Sequence, residues 1–127
     1  MGERFVLTVG EERAVCELLD AQAPGIAKRF AECLPIESFA IHAKFAGGEM
    51  IVMLPFVADP ENEVLSVSPG DIGYFPDMQT LCLFYGDVVP FGKVSVFARV
   101  VENLSGVRRA AERLQHTVSV PVRATRT

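Results

Sequence analysis

Tryptophan is absent from this 127-residue chain, histidine occurs twice and cysteine three times. His42 and His116 lie far apart, so no paired histidines at metal-binding spacing exist. Cys16, Cys33 and Cys82 are likewise too widely separated for a zinc knuckle or a redox pair. Each cysteine sits among apolar neighbours, and none has a histidine close by in sequence. The reading is three buried free thiols in a reducing cytosol rather than an activated nucleophile. Long apolar runs are also missing, which argues against a membrane span and a signal-peptide core. Twelve basic residues face sixteen acidic ones, for a net charge of −4. No overall positive field is available to attract nucleic acid or an anionic membrane. A glycine-rich phosphate loop and a nucleophile elbow are absent as well, which argues against nucleotide hydrolysis and common ester hydrolysis. No cofactor and no metal are expected.

Half of the residues are apolar and 22% are charged, the balance of a folded globular chain. The length suits one domain over residues 1–127, able to bury roughly two-thirds of its extended surface without a disulfide or metal. Cytoplasmic placement is the expectation.

The dominant hydrophobic period is two. Phe5, Leu7 and Val9 alternate with Arg4, Val6 and Thr8, and Gly10-Glu11-Glu12 turns the chain into a second extended run over Arg13–Leu19. Pro24 then fits the first turn of a helix carrying Ile26, Phe30 and Cys33 or Leu34 on one face, and Pro35 ends it. Strands are predicted over Phe39–Phe45 and Glu49–Leu54, with Gly47-Gly48 as the hairpin turn. Asp59–Asn62 reads as a loop and Pro69-Gly70 as a type II turn. Extended runs follow over Asp71–Phe75, Leu81–Tyr85 and Val94–Val100. Asn103 or Ser105 caps a second helix with Leu104, Val107, Ala111 and Leu114 as its apolar stripe. Val118, Val120 and Val122 alternate in a last strand, which Pro121 assigns to an edge or terminal position. Many strands with two modest helices predict a mainly β fold, a barrel or sandwich whose open ends the helices cover.

Several segments, taken in order, carry a resemblance. Asp20–Pro24 with Phe30 and Leu34 looks like the first helix of the cyclophilins, and Phe91-Gly92-Lys93-Val94 followed by the helix near Leu104 looks like their later strand and covering helix. Ala40–Ala46, Pro69–Phe75 and Leu81–Gly86 are similar to small prokaryotic cyclophilin-like domains, including a family of unknown function. The resemblance spans most of residues 4–116 and implies a closed, eight-stranded cyclophilin-like β-barrel with a helix at each end. It also implies what is missing for prolyl isomerisation. Cyclophilins place an arginine on a phenylalanine-histidine-arginine strand, where this chain has Ile41-His42-Ala43. Lys44 lies one residue later and, at period two, on the other face. Ile51–Pro55 replaces the family's glutamine-glycine-glycine segment, and the family's tryptophan has no counterpart. An isomerase therefore loses ground to a ligand-binding barrel, with an oligomeric interaction module as a third reading.

The candidate ligand-binding residues are His42, Lys44, Glu49, Tyr74 and Tyr85. His42 and Lys44 share a strand face. If Glu49 pairs back across the turn, the three cluster as a polar corner for an anionic or carbonyl-bearing ligand. The same pattern suits the wet side of a half-buried hairpin. Tyr74, Phe75, Phe84 and Tyr85 gather aromatic rings near Gly73 and Gly86, where strand glycines mark close approach; about half of these rings belong to the core, and Tyr74 and Tyr85 are the candidates for an aromatic groove. Asp71 is read as bonding within its own turn, and Met50, Met53 and Met78 as core or rim. Arg108, Arg109 and Arg113 form a basic helix face interrupted by Glu112, which does not amount to a nucleic-acid surface. The expected partner is a small molecule or peptide, with a homo-oligomer as a possibility.

Overall fold

The computed structural model describes residues 2–44, 46–90 and 92–127. The expectations that fall on Phe45 and Phe91 lie outside them. The opening hairpin forms from β1 (Arg4–Val9) and β2 (Glu12–Leu18). Next come α1 (Pro24–Cys33), β3 (Ile36–His42), β4 (Gly47–Met53) and the two-residue β5 (Glu63–Val64). The chain ends with β6 (Asp71–Phe75), β7 (Thr80–Val88), β8 (Val94–Glu102), α2 (Leu104–Arg113) and β9 (Val120–Arg126).

All pairings are antiparallel, in the order β2-β1-β9-β3-β4-β7-β6-β8, and β2 pairs β8 to complete the ring. This is a closed eight-stranded barrel, with β5 added outside it on β8. Closure removes the unpaired edges that an open sheet would expose.

Alternation decides what fills the barrel. Phe5, Leu7 and Val9 point inward with Met50, Val52, Ile72, Leu81 and Leu83, all buried in one cluster. Phe30 of α1 packs 4.7 Å from Phe5 and 5.4 Å from Phe97, ring centre to ring centre. Of the predicted α2 stripe, Val107, Ala111 and Leu114 are buried and Ala110 joins them, while Leu104 is only half-buried. The helix caps differ in origin. Asn103 caps α2 locally by accepting from the Gly106 amide at 3.2 Å. Ala23 has no such side chain, and the Glu61 carboxylate accepts from the Gly25 and Ile26 amides at 3.1 and 2.7 Å instead. The Asp59–Asn62 loop thus completes α1 from a distant part of the chain.

Three local expectations shift. Gly47-Gly48 is not the hairpin turn: the Ala46 amide donates to Ala43, and both glycines begin β4. Their role is close approach, since a Cβ on Gly48 would lie 2.8 Å from the Gly86 Cα. The last strand is not at an edge but between β1 and β3. Pro121 stands near its beginning, where a missing N–H is tolerated, and its carbonyl still accepts from the Gly10 amide at 2.9 Å. Cys16 and Cys82 are buried as expected, whereas Cys33 is half-exposed. Pro69-Gly70 does turn as read, with Gly70 at φ +99°. Asp71 closes that turn by accepting from the Ser68 amide at 2.9 Å.

Candidate functional site

Register on β3 and β4 separates the expected polar corner. His42 stands opposite Met50, so it shares the inward face with Met50, Leu83 and Tyr85. Glu49, one residue away, takes the outward face because strand side chains alternate. Lys44 lies exposed beyond the end of β3. The cluster of His42, Lys44 and Glu49 therefore does not form.

The inward side instead joins His42 to Tyr85. The Tyr85 hydroxyl accepts from the Gln115 amide at 3.2 Å and lies 2.5 Å from His42 Nε2. His42 Nε2 and the Tyr85 hydroxyl share one hydrogen bond, whose donor is set by the imidazole tautomer. Nδ1 is buried with no hydrogen-bond partner among the described residues. Burial and then the Lys44 charge hold the imidazole below its ordinary pKa of 6.5. The unfolded chain therefore takes up this proton first. Stability is lost as pH falls below about 6.5 towards the folded-state value, and above that range the group adds no dependence. Lys44→Gln is expected to raise the His42 midpoint towards 6.5, followed by the pH dependence of its ring resonances. An unmoved midpoint would leave burial as the whole cause.

Tyr74 is not a groove residue. It is fully buried, stacked on Phe56 at 5.6 Å, and its hydroxyl accepts from the Ala58 amide at 3.1 Å. It lies towards α1, where the Arg29 guanidinium stands 5.8 Å from the Phe56 ring centre. Both tyrosines thus face inward, and the aromatic wall belongs to their sequence neighbours Phe75 and Phe84.

Those two rings face outward, where a second apolar cluster forms from Cys82, Phe84, Val94 and Val96, with Phe75, Val64 and Val67 packed against it. This cluster lies outside the barrel, over β6, β7 and β8. A recess of about 100 Å³ opens in it, lined by Glu49, Ile51, Phe75, Met78, Thr80, Cys82, Phe84, Pro90, Gly92 and Val94. Glu49 is only 7% exposed. Burial raises its pKa, and the neighbouring Cys82 thiol partly offsets that shift. Burial and the Glu49 charge push the Cys82 thiol far up, so it is no thiolate nucleophile. Thr80 Oγ1 lies 3.7 Å from Cys82 Sγ. Cys16 is also pushed up by burial, to about 12.

Of the five expected residues, this recess holds Glu49 alone. Sequence reading included Phe75 and Phe84 among the aromatic rings but chose the two tyrosines for the groove, and it passed over Thr80, Cys82 and Gly92 as site residues. Period two does carry the signal, because if Tyr74 and Leu83 face inward, Phe75 and Phe84 face outward. Among the described residues, no group of histidine, cysteine and acidic side chains could hold a metal ion. No described helix is long and apolar enough to cross a membrane.

Residues 5–125 match a family described as protein of unknown function (DUF3830). The chain belongs to this family. The resemblance read in the sequence, to a barrel family of unknown function, holds accordingly. Among solved structures, the hypothetical protein AF2241 from Archaeoglobus fulgidus is 25% identical, with a TM-score of 0.75. That likeness covers 99% of this chain and 95% of AF2241. McbB, solved in complex with tryptophan, shares the fold at a TM-score of 0.87 and 17% identity. It covers 97% of this chain, which spans only 44% of McbB. No curated protein matches the chain.

Proposed function

We propose that the protein binds a small molecule bearing one ring, or a branched chain of similar size, in the outer recess between β4, β6, β7 and the start of β8. One observation carries this reading. The barrel interior is filled by its own side chains, while the second apolar cluster outside it leaves about 100 Å³ open between Phe75, Met78 and Phe84. Apolar concavity with a few polar groups is the usual character of a small-ligand site. An enclosed apolar cavity of about 150 Å³ takes up benzene, and this recess of about 100 Å³, open to the surface, holds part of such a ring with the rest at its mouth. A prolyl isomerase fits less well. Ala43, at the expected arginine position, is fully buried, and neither His42 nor Lys44 lines the recess.

Gly92 supplies the test. A Cβ there would meet nothing nearer than the Phe75 ring edge at 3.9 Å, so Gly92→Leu can fill the recess without strain. Benzyl alcohol, a neutral probe, is expected to bind with Kd near or below about 1 mM. It should shift the methyl resonances of Ile51, Met78 and Val94 and lose this binding in Gly92→Leu. Shifts scattered elsewhere, or unchanged binding in the variant, would reject the recess as the site.

A further inference from the structure

The recess has a charge preference, and Glu49 sets it. We infer that its natural occupant is an organic cation, a protonated amine carried on an apolar ring or branched chain. This rests on the recess being a ligand site. The chain shows how it houses another buried carboxylate: Glu17, 9% exposed, has Arg4 at 3.8 Å and Arg99 at 3.6 Å. Glu49 is buried more deeply, at 7% exposed, and no ion pair among the described residues includes it. None of the other recess-lining residues is basic. Its polar neighbour is the Cys82 thiol, at most a weak donor. A buried carboxylate without a counter-charge is unfavourable, and proteins pair such groups or neutralise them. An ammonium group entering the recess supplies the missing charge and strong N–H donors, while its apolar body lies against Phe75, Met78 and Phe84. An anionic ligand would meet Glu49 with like charge and is disfavoured.

The experiment compares benzylamine, benzyl alcohol and benzoate at neutral pH and low salt, using the methyl shifts of Ile51, Met78 and Val94. Benzylamine is expected to bind about tenfold tighter than benzyl alcohol, the difference of one charge-assisted hydrogen bond. Benzoate should bind more weakly than either. In Glu49→Gln the amine and the alcohol should come within roughly twofold of each other. Gly92→Leu should abolish both, separating recess binding from general attraction of a cation to an acidic protein. Equal affinity for amine and alcohol in the wild type overturns this inference but leaves the binding site standing. An amine preference that survives in Glu49→Gln overturns it too. Failure of all three compounds to bind overturns both proposals. The wild-type comparison decides the matter even if Glu49→Gln does not fold.

Discussion

Phe30→Ala is expected to lower unfolding stability by about 3–5 kcal/mol, the usual cost of deleting a buried aromatic ring. Phe30 is fully buried, and its ring stands 4.7 Å from Phe5 and 5.4 Å from Phe97. It therefore ties α1 to β1 and β8, which are not adjacent in the ring of strands. Truncation loses the transfer energy of the ring and leaves a cavity that three rigid elements cannot close together. A domain of this size has a total stability of about 5–15 kcal/mol, so the variant is near the limit of folding. Urea denaturation at unchanged m-value measures the loss. Phe39→Ala, on a side chain 49% exposed, provides the contrast at about 0.5 kcal/mol or less. A Phe30 effect below about 1 kcal/mol would mean that α1 does not seal the barrel.

Gly48→Val is expected to cost about 2–3 kcal/mol and to abolish benzyl alcohol binding. A Cβ on Gly48 would lie 2.8, 2.9 and 3.0 Å from Cα, N and C of Gly86. These are backbone atoms of the neighbouring strand, so β4 and β7 must part. The register irregularity between Gly47 and Glu49 lies at the same point, and Gly47 itself adopts φ +112°. Glu49 pairs with Phe84 immediately beyond, so parting the strands displaces two walls of the recess at once. Thermal unfolding together with the methyl titration tests both parts. Gly92→Leu should lose binding with stability changed by no more than about 0.5 kcal/mol. Binding that persists in Gly48→Val despite lower stability would dissociate the recess from the β4–β7 contact.

The elements of this fold were legible because their cause is local. Phe5, Leu7 and Val9 alternate as a half-buried strand must, and Pro24 and Pro35 bound a helix through fixed φ and a missing donor. Boundaries moved where a residue type serves two purposes. Glycine permits a tight turn and also permits two backbones to approach, and the pair Gly47-Gly48 reads equally well as either. Only the presence of Gly86 across the strand distinguishes them.

The site was less legible, because sequence alternation separates two faces without naming which is inside. His42 and Glu49 are close in sequence, yet pairing of His42 with Met50 sends them to opposite sides of the sheet. The tyrosines attracted attention as aromatic residues with polar tips, and each hydroxyl was satisfied inward: Tyr74 by the Ala58 amide, Tyr85 by His42 and Gln115. Phe75 and Phe84, from the same aromatic run but without polar tips, line the outer recess instead.

The wide spacing of the two histidines and of the three cysteines is a property of the sequence by itself, and the familiar metal and redox motifs, which need particular atoms at particular spacings, are not among its patterns. Composition and periodicity likewise determined a mainly β fold with two helices. Tertiary structure alone decided that the ring closes through β2 and β8, that Glu61 caps a helix distant in sequence, and that Glu49 is buried beside an apolar recess without a cation. Each of these depends on residues far apart in the chain. Hydrophobic period sets a side chain's alternation, but the register of the neighbouring strand sets which atoms it meets.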